Sequence, residues 1–193
     1  MTDLATYRAE LLQRLRASMD DIGWASRALG PIHLTYKPHA DDWSIHEQVS
    51  HVLDMEQEVF LPLLRWATVP DMLVPRDYSR RDWHERRYRP SATIPEMMAS
   101  LQRIREEELL VFLNMADSEW VHLQTDAQWG PVTPQWVAEL MYRHALDHLQ
   151  GIMALRQDLN LAALQRAPLQ TNDYPNSSYS PPTTPPRIGG RAV

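Results

Sequence analysis

An all-α fold, a four-helix bundle, is what the sequence predicts. Four stretches of about 20 residues repeat apolar side chains at steps of three and four, each long enough for a helix of roughly 30 Å. The last three of these stretches begin with helix-capping sequences. No stretch alternates apolar and polar residues as strongly as a β-strand would. The chain of 193 residues suffices for one such domain and is too short for two.

The first helix is predicted over residues 3–29, where apolar side chains recur with helical spacing. Such a stripe is what an amphipathic helix packs against a core, so we expect this face to be buried. Its members are Leu4, Tyr7, Leu11, Leu15, Met19 and Ile22.

The second helix is predicted to begin at Ser44, which has Glu47 three positions later, the spacing of a capping box. Pro62 falls within the same stretch and lacks the N–H that would reach residue 58, so the helix either kinks there or ends just before it. Its predicted buried stripe is Ile45, Val49, Val52, Val59, Leu63 and Trp66.

The third helix has the same start signal. Thr93 and Glu96 form the predicted capping box, Pro95 lies in the first turn, and the helical pattern continues to Met115. The residues predicted to face inward include Leu101 and Ile104.

The fourth helix is predicted to begin at Thr133 and Pro134, a capping residue followed by proline at the first helical position, and to end near Leu159. His144 and His148 are four positions apart, so both imidazoles project from one face about 6 Å apart, close enough to bind one divalent cation. The alternative is a pair of core histidines bonded to backbone, water or a carboxylate. The full inward stripe is Val137, Met141, His144, His148, Ile152, Leu155 and Leu159.

His51 on the second helix favours the metal interpretation. It flanks the inward stripe at mid-helix, so it can face the fourth helix at the level of His144 and His148. Three imidazoles would form a facial set with open positions, which is typical of a catalytic metal. The remaining histidines are predicted to be solvated surface residues, namely His33, His39, His46, His84 and His122.

Two glutamates interrupt apolar stripes, Glu56 on the second helix and Glu108 on the third. A buried carboxylate is costly unless it is paired. We predict that Glu56 is a catalytic base or orients a metal-bound histidine. For Glu108 we favour a salt bridge to one of the arginines.

The connection between the second and third helices, residues 67–92, is longer than the roughly two to eight residues that usually join neighbours in a bundle. An extended chain of this length can cross roughly 30 Å, which permits an up-down-down-up order. Its arginines and aromatic residues suit either a lid over an anionic substrate or a surface covering. A rise in proline, serine and threonine then divides the chain into a predicted bundle, residues 1–165, and a proline-rich tail, residues 166–193.

Composition excludes several classes of function. The net charge of −6 disfavours binding to nucleic acid, which needs a basic surface. The chain has no cysteine, so disulfides, thiolate ligands and cysteine nucleophiles are excluded. No apolar run is long enough for a membrane span or a secretory signal, so we expect a cytoplasmic protein without membrane partners.

Three segments, in this order, resemble the DinB-like superfamily of small helical bundles, which is distinct from the DNA polymerase of the same name. They are WSIHEQVSHVLDMEQ with His51, RDWHERRYRPSATIPEMMASLQRIREEEL, and WGPVTPQWVAELMYRHALDHLQGIMALRQ with His144 and His148. The resemblance extends over most of residues 1–165.

The resemblance implies an up-down-down-up bundle, often a homodimer, with a divalent metal on His51, His144 and His148. Zinc or nickel is expected first, and iron or manganese are alternatives. Characterised relatives include transferases and isomerases that use low-molecular-weight thiols such as bacillithiol, mycothiol or glutathione. We therefore expect a metal-dependent thiol S-transferase acting on a small-molecule substrate. A metal-dependent hydrolase and a non-catalytic, metal-binding or stress-associated bundle are the alternatives.

Overall fold

The computed structural model describes residues 3–69, 72–76, 83–85 and 87–166, with side chains through Asn160. Its helices are α1 (Leu4–Ser26), α2 (Pro31–Leu34), α3 (Ile45–Met55), α4 (Leu61–Thr68), α5 (Ile94–Asn114), α6 (Asp117–Trp120) and α7 (Pro134–Arg166). A π-helical segment, Glu56–Phe60, joins α3 directly to α4. Strands β1 (Gln124–Asp126) and β2 (Gly130–Val132) pair as an antiparallel hairpin before α7.

Contacts between helix ends show that α1 and α7 are parallel. The Tyr7 hydroxyl donates to Glu139 at 2.7 Å, which joins the first turn of α1 to the second turn of α7. Near their other ends, the Arg156 guanidinium donates to the carbonyls of Ala25 at 2.8 Å and Arg27 at 3.1 Å. The long last helix therefore returns alongside the first in the same direction.

The two middle helices run opposite to this pair. Arg8, early in α1, donates to the carbonyl of Met115 at the end of α5 at 2.8 Å. In the α3–α7 pair, Gln48 contacts His148 while Phe60 contacts the earlier residue His144. The order is therefore up-down-down-up, as predicted, and buried residues of all four long segments form the core between them.

The predicted helix starts are confirmed. Ser44 and Glu47 form a complete capping box at α3, and Thr93 and Glu96 form another at α5. At α7, the Thr133 hydroxyl accepts a hydrogen bond from the Trp136 N–H at 3.0 Å. Each interaction satisfies a backbone N–H that the first helical turn leaves unpaired.

Pro62 neither ends the second long helix nor forces a break before it. Instead, the chain widens into the π-helical segment, where the Leu61 N–H donates to the carbonyl of Glu56, five residues back. Proline has no N–H to donate, and this local change of hydrogen-bond register lets the helix continue to Thr68.

Some predictions differ from the structure at the bundle's ends. Leu4 and Tyr7 are 39% and 37% exposed, because the first turn of α1 has few neighbours there. The β1–β2 hairpin was not predicted, since strands of three residues are too short for an alternating pattern. The fourth helix, α7, extends beyond Leu159 to Arg166. Apart from Arg166, the predicted proline-rich tail, 166–193, lies outside the described residues.

No helix in the described parts of the chain combines the length and the apolar character needed to cross a bilayer.

Candidate metal centre

Two antiparallel helices bring three imidazoles together halfway along the bundle. His144 and His148 lie one turn apart on α7, with ring centroids 4.6 Å apart. His51 on α3 faces them, with its centroid 5.3 Å from that of His144 and 5.1 Å from that of His148. One nitrogen from each ring lies within 4.8 Å of the others, and all three residues are partly exposed. No carboxylate of the described residues belongs to this group.

The ring of His148 is held by a side chain of the facing helix. Its Nδ1 donates to Oε1 of Gln48 at 3.1 Å. A neutral imidazole that donates from Nδ1 has its lone pair on Nε2, the form that binds a metal through Nε2.

The ring of His144 is packed against Phe60, with centroids 5.2 Å apart in an edge-to-face arrangement. Its Nδ1 is buried and has no hydrogen-bond partner among the described residues. Leaving such a nitrogen unpaired costs about 1–3 kcal/mol, which coordination or an ordered water would offset. The donor set and this nitrogen both fit a bound divalent cation.

The protonation state of the two α7 histidines also suits metal binding. Burial lowers the pKa of His144 well below its usual value, and repulsion from His148 and His51 lowers it further. Burial lowers the pKa of His148 to about 4, although Asp147 opposes the shift. Both rings are therefore neutral near pH 7, so no proton has to leave before a metal binds.

Two tryptophans form a wall beside the imidazoles. Trp43 and Trp83 stack with centroids 4.9 Å apart, and their rings lie 4.7 Å and 5.0 Å from the ring of His51. Trp43 also lies 5.8 Å from His148 and lines a cavity of about 460 Å³ on the bundle surface. The two rings limit the orientations open to His51, and Trp83 is fully buried beside it.

Similarity to known proteins gives the family and the fold of this chain. The profile of the DinB superfamily matches residues 14–152, a range that contains all three histidines. The chain belongs to the DinB superfamily. Among solved structures it is similar to YfiT from Bacillus subtilis, described as a probable metal-dependent hydrolase with an unusual four-helix bundle topology. The TM-score is 0.72 at 14% identity, covering 83% of this chain and 91% of YfiT. No curated protein matches the sequence.

In this DinB-superfamily chain, the predicted catalytic residue Glu56 is paired with an arginine. Arg105 Nη2 lies 2.5 Å from Glu56 Oε1, and Arg105 Nε lies 3.1 Å from Glu108 Oε2. All three side chains are buried. The salt bridge expected for Glu108 is thus present, and Glu56 shares it. This pairing favours a structural role for Glu56, whose role as a base stays a prediction.

The prediction that His46 is a solvated surface residue is wrong. Its side chain is buried, with Nδ1 2.9 Å from the Tyr88 hydroxyl and Nε2 2.7 Å from the carbonyl of Ala92. The segment leading into α5 folds over the first turn of α3, a path that local sequence patterns do not reveal. The surface prediction is confirmed for the other four, all exposed, namely His33, His39, His84 and His122.

Sequence reasoning did not connect Trp43 or Trp83 with the histidines. The available signal was the clustering of aromatic residues beside histidines in DDWSIH and RDWHERRY. Within the long connection, Arg87 pairs with Asp54 and Glu58 of the second long helix. For this arginine, these pairs agree with the surface-covering alternative. Residues 70–71, 77–82 and 86 of that segment lie outside the described residues.

Proposed function

We propose that this protein is a metal-dependent enzyme in which His51, His144 and His148 hold a divalent cation. The observation that carries the proposal is the convergence of three imidazole nitrogens within 4.8 Å from two helices. Three protein ligands leave coordination positions for a substrate, as in catalytic sites. Imidazole donors without thiolate suit zinc or nickel, with iron or manganese as alternatives.

We further propose that the nucleophile is an external low-molecular-weight thiol. A divalent cation lowers the pKa of a bound thiol, which increases the thiolate fraction at neutral pH. Because the chain has no cysteine, the sulfur must come from another molecule. In the transfer, the thiol loses its proton to solvent, a bond forms between sulfur and an electrophilic carbon, and the leaving group departs with its electron pair.

The protein's own contribution is positioning. Gln48 orients His148, and Trp43 and Trp83 restrict the ring of His51. The exposed parts of the three histidines leave an approach for a small molecule. Homodimerisation stays a prediction based on the resemblance.

A hydrolase is the second candidate, in which water replaces the thiol as nucleophile. The similarity to YfiT, described as a probable metal-dependent hydrolase, favours it. The two candidates differ in one requirement, since the hydrolase turns over an electrophilic substrate without added thiol.

The test uses protein purified without an affinity tag, loaded with zinc or nickel, and assayed on thiol-reactive electrophiles and esters with and without thiol. We expect thiol-dependent turnover by the wild type. His148→Ala should lose metal and turnover together while its circular dichroism stays helical. His122→Ala, which removes an exposed imidazole outside the group, should change neither. A His148→Ala variant with full activity would refute the proposal.

A further inference from the structure

We propose that Gln48 and Gly151 act as a positioning pair for His148: Gln48 selects the ring tautomer, and Gly151 provides the space that Gln48 needs. This inference rests on the proposed metal site. The DinB resemblance and the spacing of the histidines do not point to either residue.

Gln48 and His51 occupy neighbouring positions on one face of α3, three residues apart. One helix therefore presents both a candidate ligand and the group that holds another candidate ligand on α7. Gln48 is 7% exposed, so its amide oxygen has little water to bind instead. Its acceptance of the Nδ1 proton at 3.1 Å leaves the lone pair of His148 on Nε2.

Gly151 follows His148 by three residues in the interior of α7. Glycine in a helix interior costs about 1 kcal/mol relative to alanine, so its presence there needs a reason. A Cβ at this position would lie 2.5 Å from Gln48 Oε1 and 2.8 Å from Gln48 Nε2. Both contacts are shorter than any real Cβ tolerates, so a side chain at residue 151 would displace the amide from His148.

If Gln48 and Gly151 position His148, their substitution should change zinc affinity by a limited amount. Groups that hold a metal-bound histidine typically change metal affinity by about 10–100-fold when removed. Gln48→Ala and Gly151→Ala should therefore each weaken zinc binding within that range. Gln48→Glu keeps an acceptor oxygen at the same reach and should bind zinc nearly as well as the wild type.

The experiment has two readouts. The first is the nitrogen-15 NMR spectrum of the histidine rings in metal-free protein, where the wild type should show His148 protonated on Nδ1. Gln48→Ala and Gly151→Ala should shift that ring toward the Nε2-protonated tautomer. The second is zinc affinity by competition with a chelator. Gly23→Ala is the matched control, because its added methyl would meet only the flexible end of Met98, at 3.3 Å.

The double variant Gln48→Ala/Gly151→Ala tests whether the two residues act together. With the amide gone, the methyl at residue 151 has nothing to displace, so zinc affinity should equal that of Gln48→Ala. The inference would be overturned if His148 kept its wild-type tautomer in Gln48→Ala. It would also be overturned if adding Gly151→Ala to Gln48→Ala weakened zinc binding as much as Gly151→Ala does alone. If the wild type binds none of zinc, nickel, iron and manganese, the proposed function fails, while the tautomer measurement still decides the role of Gln48.

Discussion

Arg105 pairs with the two most deeply buried carboxyl groups in the described part of the chain. Its guanidinium contacts Glu56 and Glu108 and also donates to the carbonyl of Leu15 at 3.1 Å. One cation balances one carboxylate, so the second carboxyl is more stable with its proton. Burial raises the pKa of Glu108 well above its usual value, and the charge of Glu56 raises it further against the opposing effect of Arg105.

The raised pKa predicts how Glu108 affects stability. A carboxyl whose pKa is raised by folding contributes stability below its unfolded pKa of about 4.3, and that contribution is lost as pH rises through the folded pKa. A tenfold change in the proton affinity of the carboxyl corresponds to about 1.4 kcal/mol of folding free energy. Glu108→Gln mimics the protonated carboxyl, so its unfolding free energy should rise relative to wild type as pH increases.

Urea denaturation at a series of pH values from about 4 upward measures this difference. The exposed neighbour Glu106, changed to Gln, is the control and should follow the wild-type curve. Parallel curves for Glu108→Gln and wild type would contradict the prediction.

At the scale of elements, helix starts were predictable because capping is local. A capping box is recognisable from two residue types three positions apart. The structure contains both predicted boxes, Ser44 with Glu47 and Thr93 with Glu96. The π-helical segment was not predictable from the sequence. Proline at position 62 indicates only that one backbone N–H, and the helical hydrogen bond it would donate, is missing. How the chain adapts depends on the tertiary packing of buried residues on both sides of the proline.

Thr93 and Glu96 form the capping box that begins α5. The Thr93 hydroxyl accepts from the Glu96 N–H, and the Glu96 carboxylate accepts from the Thr93 N–H at 3.0 Å. Thr93→Ala should lower the unfolding free energy by about 1 kcal/mol, since it leaves a first-turn N–H unpaired. Thr93→Ser keeps the oxygen and should lose much less. Equal denaturation midpoints for Thr93→Ala and wild type would contradict the role of the cap.

Across the whole molecule, the site residues that are close together in sequence or lie on regular helices were predictable, and those brought in by the long connection were not. His144 and His148 followed from helical spacing, and the position of His51 at mid-helix suggested the third imidazole. The roles of Trp83 and His46 were not predicted, because both depend on the path of the long connection. Trp83 lies in the connection and contacts His51, whereas His46 lies on α3 and is covered by Tyr88 and Ala92 of the connection. That connection must run the length of the bundle between two parallel helices, and only packing decides which face it covers.

In the proposed site, α3 and α7 jointly bind one divalent cation, and His51 is the one member of the histidine set that α3 contributes. Calorimetric titration of metal-free protein with zinc tests this most directly. We predict one zinc per wild-type chain and a loss of affinity beyond the roughly 10–100-fold typical of a supporting residue in His51→Ala. His122→Ala should match the wild type. A His51→Ala variant that binds zinc as tightly as the wild type would contradict the account.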